Sequence, residues 1–122
     1  MEATAEKEQA FARALMQKLP EVVRIGPFDF RIIHWTHHQA SSVSRYGECS
    51  SIEQAIRLQT DMPSRYKGVD TFLHEVCHAI YWAYGILDDD KEERIVSVLA
   101  TAMSALYRDN PWLTSWIQSA KL

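Results

Sequence analysis

The pentapeptide His74-Glu75-Val76-Cys77-His78 constrains this chain more than any other stretch of its sequence. On an α-helix, residues four apart stand on one face, one turn above the other. The two imidazoles therefore reach a common point, with Glu75 beside them at the rim. Two neutral nitrogen donors and an adjacent carboxylate are what a zinc hydrolase requires: ligands for Zn2+, and a general base that takes a proton from water. The motif lies in a largely apolar run from Val69 to Tyr84, so the helix that carries it must also pack into a core. Asp70 is the expected N-cap of that helix and Gly85 its C-terminal stop.

A catalytic zinc needs a third protein ligand, with the fourth position left open. Downstream, Asp88-Asp89-Asp90 opens a further helix with Glu92 and Glu93 in its first turn. The spacing predicts a buried stripe of Ile95, Val96, Leu99, Ala100, Met103, Leu106 and Tyr107. Glu93 falls on that stripe, in step with Val96, Leu99 and Ala100, and is expected to face the metal helix; Glu92 is rotated about 100° away. Glu93 is thus the preferred third ligand, ahead of Glu92, Cys49 and the loop histidines. Cys77 lies about 60° around the helix from His74 and is expected to pack rather than ligate.

The rest of the chain reads as α+β. Residues 4–19 form an amphipathic helix, with Ala10, Phe11, Ala14, Leu15 and Leu19 on one face and Pro20 as its end. Val22 to Ile25 is a short strand, Gly26-Pro27 a turn, and Phe28 to Trp35 a stronger strand. His37 to Ser42 is a polar loop. His34, His37 and His38 lack a same-face spacing for a second metal site. Val43 to Tyr46, a turn at Gly47 to Ser51, and Ile52 to Thr60 read as a hairpin whose second arm lies near a sheet edge. Pro63 and Gly68 bracket a surface loop, and Asn110-Pro111 is a cap with a first-turn proline. A short C-terminal helix follows, with Trp112, Leu113 and Trp116 inward. The expected whole is a single domain over residues 1–122: an N-terminal helix, a small mostly antiparallel sheet, the His74–His78 helix packed on the following Glu-bearing helix, and the short last helix.

Composition bounds the setting. At 122 residues the chain can bury about two-thirds of its unfolded surface in one core. Thirteen basic against sixteen acidic side chains, without a Lys/Arg cluster, argue against nucleic acid as a partner. No apolar run approaches membrane-spanning length, and the acidic N-terminus has no signal-peptide core. Two cysteines make no disulfide framework, so a reduced, cytoplasmic location is expected. Oligomeric state is left open.

An HExxH helix followed by a Glu on the next helix resembles the gluzincin metallopeptidases. The upstream strands and Glu93-Arg94-Ile95-Val96-Ser97-Val98-Leu99-Ala100 are similar to the small ImmA/IrrE-type and minigluzincin domains. Tyr46-Gly47-Glu48, Thr71 to Glu75 and Arg108-Asp109-Asn110-Pro111 resemble short HExxH proteins of phages and prophages. The resemblance implies a zincin-like fold, Zn2+ held by His74, His78 and Glu93, Glu75 as general base, and a peptide or protein substrate. Many gluzincins carry an Asp four residues after the ligand Glu, where this chain has Ser97. Two other readings stand beside it. Gly47-Glu48-Cys49-Ser50-Ser51 resembles the cysteine turn of peptide deformylases, with Gly and Glu transposed, which implies an amide hydrolase with Cys49 as ligand. A non-catalytic, zinc-stabilised regulatory or binding module is the third; a structural zinc site richer in cysteine would favour it, and the carboxylate at Glu75 speaks for chemistry.

Overall fold

Pro20 forbids continuation of the first helix, and α1 spans Glu2–Gln17. The structure, a computed structural model, describes residues 2–36, 39–40 and 42–122. His37 and His38 of the polar loop lie outside the described residues, as does the side chain of Val96. The buried face of α1 is Ala12, Leu15 and Met16, continued by Leu19. It is rotated from the expected stripe: Phe11 is exposed, with the Arg65 guanidinium 5.1 Å from its ring centroid. Met16 takes the inward place, and the cationic cover over Phe11 shields one ring face from water.

Gly26, at φ +57, makes the tight turn between β1 (Val22–Ile25) and β2 (Phe28–His34). β3 (Gly47–Ser50) and β4 (Ala55–Leu58) complete one sheet in the order β1-β2-β4-β3. β1–β2 and β3–β4 are antiparallel, while β2–β4 is parallel. The sheet is thus mostly antiparallel, as expected, but the hairpin is displaced. Its turn runs over residues 51–54, where Ser50 Oγ accepts the Glu53 N–H at 3.3 Å and Gln54 sits at φ 50. Ile52, expected on the buried face of a strand, is the fully exposed tip of that turn. The expected edge position for this arm is also corrected. β4 lies between β2 and β3, and Ala55, Ile56 and Leu58 are all completely buried there.

The central helix, α2 (Arg65–Ala83), starts before the expected cap at Asp70. Ser64 is the N-cap, its hydroxyl accepting the Lys67 N–H at 3.0 Å. Glu8 of α1 clamps the same end: its carboxylate takes the Arg65 N–H at 2.9 Å and both arms of the guanidinium at 2.8 Å. Gly68, which reads in sequence as a loop residue, is inside the helix. A Cβ there would stand 2.8 Å from Met16 Sδ, so glycine lets α1 and α2 cross closely. Gly85 closes the helix as expected, at φ +66. Its N–H reaches Trp82 O, and Ile86 N–H reaches Tyr81 O at 2.9 Å, a Schellman pattern with Ile86 buried beside it.

Val69, Phe72, Val76, Ala79 and Ile80 form the core face of α2. Phe72 is fully buried against the rings of Trp112 and Trp116, a burial that contributes about 3 kcal/mol. Cys77, expected to pack, is exposed. α3 (Glu92–Asp109) begins where expected, but its inward face differs. Ala102 and Leu106 are buried and Leu99 packs against the core, whereas Ala100, Met103 and Tyr107 face solvent. Its nearest neighbour in the fold is β1, approached through the C-terminal half, rather than the metal-motif helix. α4 (Trp112–Ser119) docks as predicted, with Leu113 and Trp116 buried and the indole N–H donating to Leu15 O at 2.9 Å. No helix among the described residues is long and apolar enough to cross a membrane.

Candidate metal centre and cleft

The hydrophobic face of α2 fixes what its other face presents. With Phe72, Val76 and Ile80 held in the core, positions 67, 71, 74, 78 and 82 fall along one side of the helix, at spacings of three and four. Lys67, Thr71, His74, Glu75, His78 and Trp82 line a cleft of about 720 Å³. Its opposite wall is the edge strand and the residues leading into it, Arg45 to Cys49, with Ser51. That volume lies in the range of small-ligand and peptide clefts.

His74 Nε2 and His78 Nε2 stand 3.1 Å apart, with the ring planes at 73°. The distance suits one shared hydrogen bond between neutral imidazoles. It also suits a common ion: two nitrogens, each about 2.0–2.1 Å from a tetrahedral zinc, stand roughly 3.3 Å apart. The pair therefore fits a metal. No set of three His, Cys, Asp or Glu side chains among the described residues is gathered closely enough to hold one.

Glu93 and Glu92 are both exposed in the opening turn of α3, outside the cleft lining. The facing expectation for Glu93 does not carry through. The face that packs, Leu99, Ala102 and Leu106, continues by the helical repeat to Ile95 and Glu92, leaving Glu93 about 100° further round. Two side chains inferred as alternatives behave differently. Cys49 lines the cleft, half-buried, and burial together with the Glu75 carboxylate pushes its thiol up to about 11. His34 does not line the cleft. It closes β2 opposite Leu58, its Nδ1 is buried without a partner among the described residues, and burial pushes its pKa down.

Glu75 is only 6% exposed, and its carboxylate lies against Gly47 of the edge strand. Burial raises its pKa above the ordinary carboxylate value, opposed by the two imidazoles. Glu48 raises it further, and Arg45, ion-paired to Glu48 at 3.1 Å, works against that. A buried carboxylate whose pKa is raised, beside two imidazoles, is a better proton acceptor than a solvated one. Tyr46 is on the cleft rim with the Lys67 ammonium 5.3 Å from its ring centroid.

The edge strand carries a second feature. Gln59 N–H donates to Tyr46 O at 2.9 Å, and Gly47 pairs with Leu58, Cys49 with Ile56. In an antiparallel ladder, hydrogen-bonded and non-bonded pairs alternate. Gly47 and Cys49 are therefore non-bonded positions, and their N–H and C=O groups point away from β4, toward the free edge. Gly47 and Cys49 read in sequence as a turn and belong to a strand, and Lys67, ahead of the expected cap, belongs to α2, so this wall emerges only from the sheet pairing and the longer helix. No family model, curated protein or solved structure matches the chain.

Proposed function

We propose that the protein is a zinc-dependent peptidase. The observation that carries this reading is the convergence of His74 and His78 Nε2 at 3.1 Å on the cleft wall, with the Glu75 carboxyl buried next to them. Zinc held by these nitrogens would supply Lewis-acid activation of water and of a peptide carbonyl. Glu75 accepts the proton of the attacking water and returns it to the leaving amine. An extended peptide adds to the free edge of β3, bonding the outward N–H and C=O groups of Gly47 and Cys49, which holds a backbone without demanding a sequence. Glu93 is the third ligand that the gluzincin resemblance implies, reached by a movement that brings the exposed opening turn of α3 to the cleft, with Glu92 and Cys49 as the alternatives. Two free cysteines support a reducing, cytoplasmic setting. A protein or peptide substrate, rather than nucleic acid, suits a cleft with mixed charges.

The test is zinc stoichiometry joined to casein cleavage. One zinc per chain is expected, with hydrolysis abolished by a chelator. Glu75→Gln should keep the metal and lower kcat by about 10²–10⁴-fold; an unchanged rate refutes the general-base role. Zinc content of Glu93→Ala, Glu92→Ala and Cys49→Ser then identifies the third ligand. Full occupancy in all three would refute the assignment to α3.

A further inference from the structure

Glycine in a strand forfeits side-chain packing and backbone entropy, and commonly marks a close approach of another group. Gly47 has no positive φ to explain it; only Gly26 and Gly85 do. What it has is α2. A Cβ built at Gly47 would stand 2.9 Å from Thr71 Cγ2, 3.2 Å from Leu58 Cδ2 and 3.2 Å from Glu75 Oε2. Thr71 is buried and β-branched, so its χ1 is stiff. Leu58 is completely buried in the core. Thr71 and Glu75 both line the cleft, and of the two the Glu75 carboxylate is the far end of a flexible side chain.

We infer that Gly47 is a positioning residue for Glu75: the missing side chain lets the edge strand lie directly against the carboxylate and fixes it at the helix–strand junction. The inference rests on the peptidase reading and assigns it one more part. A methyl at position 47 comes closer than 3.0 Å to Thr71, so β3 must lift off α2 or Thr71 must shift, and the Glu75 carboxylate at 3.2 Å must itself give by a few tenths of an ångström. These movements displace the base relative to a peptide held on the same strand, and a displacement of about 1 Å at a reacting group can cost about 10²-fold in rate.

The experiment compares the zinc-loaded parent, Gly47→Ala, Thr71→Ser and the double variant on casein, with thermal midpoint and zinc content read alongside. Thr71→Ser removes the nearest clashing atom. Gly47→Ala is expected to lower kcat by about 10–100-fold, with KM and zinc content within about twofold and the midpoint retained. The double variant should recover most of that loss. Independently of turnover, iodoacetamide should modify half-buried Cys49 faster in Gly47→Ala and at the parent rate in the double variant. Exposed Cys77 serves as the internal reference. An active parent whose kcat is indifferent to Gly47→Ala overturns the role alone, as does a loss that merely follows the fraction unfolded or is not relieved by Thr71→Ser. A parent that binds zinc and cleaves nothing overturns the peptidase reading, and this role with it.

Discussion

The two edges of the sheet are treated in opposite ways. At β1 the edge is closed by a side chain: Asn110, buried between α3 and α4, accepts the Arg24 N–H at 2.9 Å and donates to Arg24 O at 2.7 Å. One amide satisfies both outward groups of a strand residue, as a neighbouring strand would. The second Nδ2 proton goes to Leu106 O at 2.9 Å, tying the end of α3 to that edge. At β3 the corresponding groups of Gly47 and Cys49 face the cleft. Open edges invite unwanted pairing, and proteins ordinarily block them. The difference teaches that the chain has the means to seal an edge and, among the described residues, leaves unsealed the one beside His74, Glu75 and His78.

The largest effect should come from unsealing the closed edge. Asn110→Ala strands the Arg24 N–H and C=O, while Leu106 O keeps the backbone N–H of residue 110, and is expected to cost about 2–4 kcal/mol. It should also promote self-association through β1. Urea midpoints and sedimentation would measure both; an unchanged midpoint would break the comparison. Next, Cys49→Pro removes an N–H that points outward, so the β3–β4 ladder should survive. KM for peptide should rise about tenfold, the worth of one hydrogen bond. Glu48→Pro, at a bonded position, should disrupt the hairpin. Equal KM in Cys49→Pro and parent would mean that peptides do not pair with this edge.

The smallest effect sharpens the contrast in stability. Burial holds the folded-state pKa of Glu75 above its unfolded value, so the carboxyl favours the fold while protonated and costs stability as pH rises through the folded value. Glu75→Gln should therefore raise the thermal midpoint at neutral pH by about 2–5 °C while removing activity. That gain should shrink in acid, where the parent carboxyl is neutral as well. Calorimetry across that range checks the sign, and a gain that grows in acid would contradict it.

Several elements were legible without the fold because their causes are local. Pro20 ends α1, Gly85 ends α2, alternation marks β2, and the acidic turn before Ile95 opens α3. What went astray depended on neighbours. Ile52 reads as a buried strand residue until β4 is seen to start at Ala55, after a turn whose tip is apolar. Gly68 reads as a loop until Met16 is seen to need its space. Met103 and Tyr107 fit an inward stripe by period, yet docking of α3 on β1 selects Ala102 and Leu106.

The sequence by itself determined that His74, Glu75 and His78 share a helix, because a spacing of four fixes a face wherever that helix lies. Tertiary structure decided which strand stands opposite them, that this strand is an edge, and that its glycine lies against the Glu75 carboxylate. Those relations join residues 47, 58, 71 and 75, brought together by packing that no local periodicity encodes.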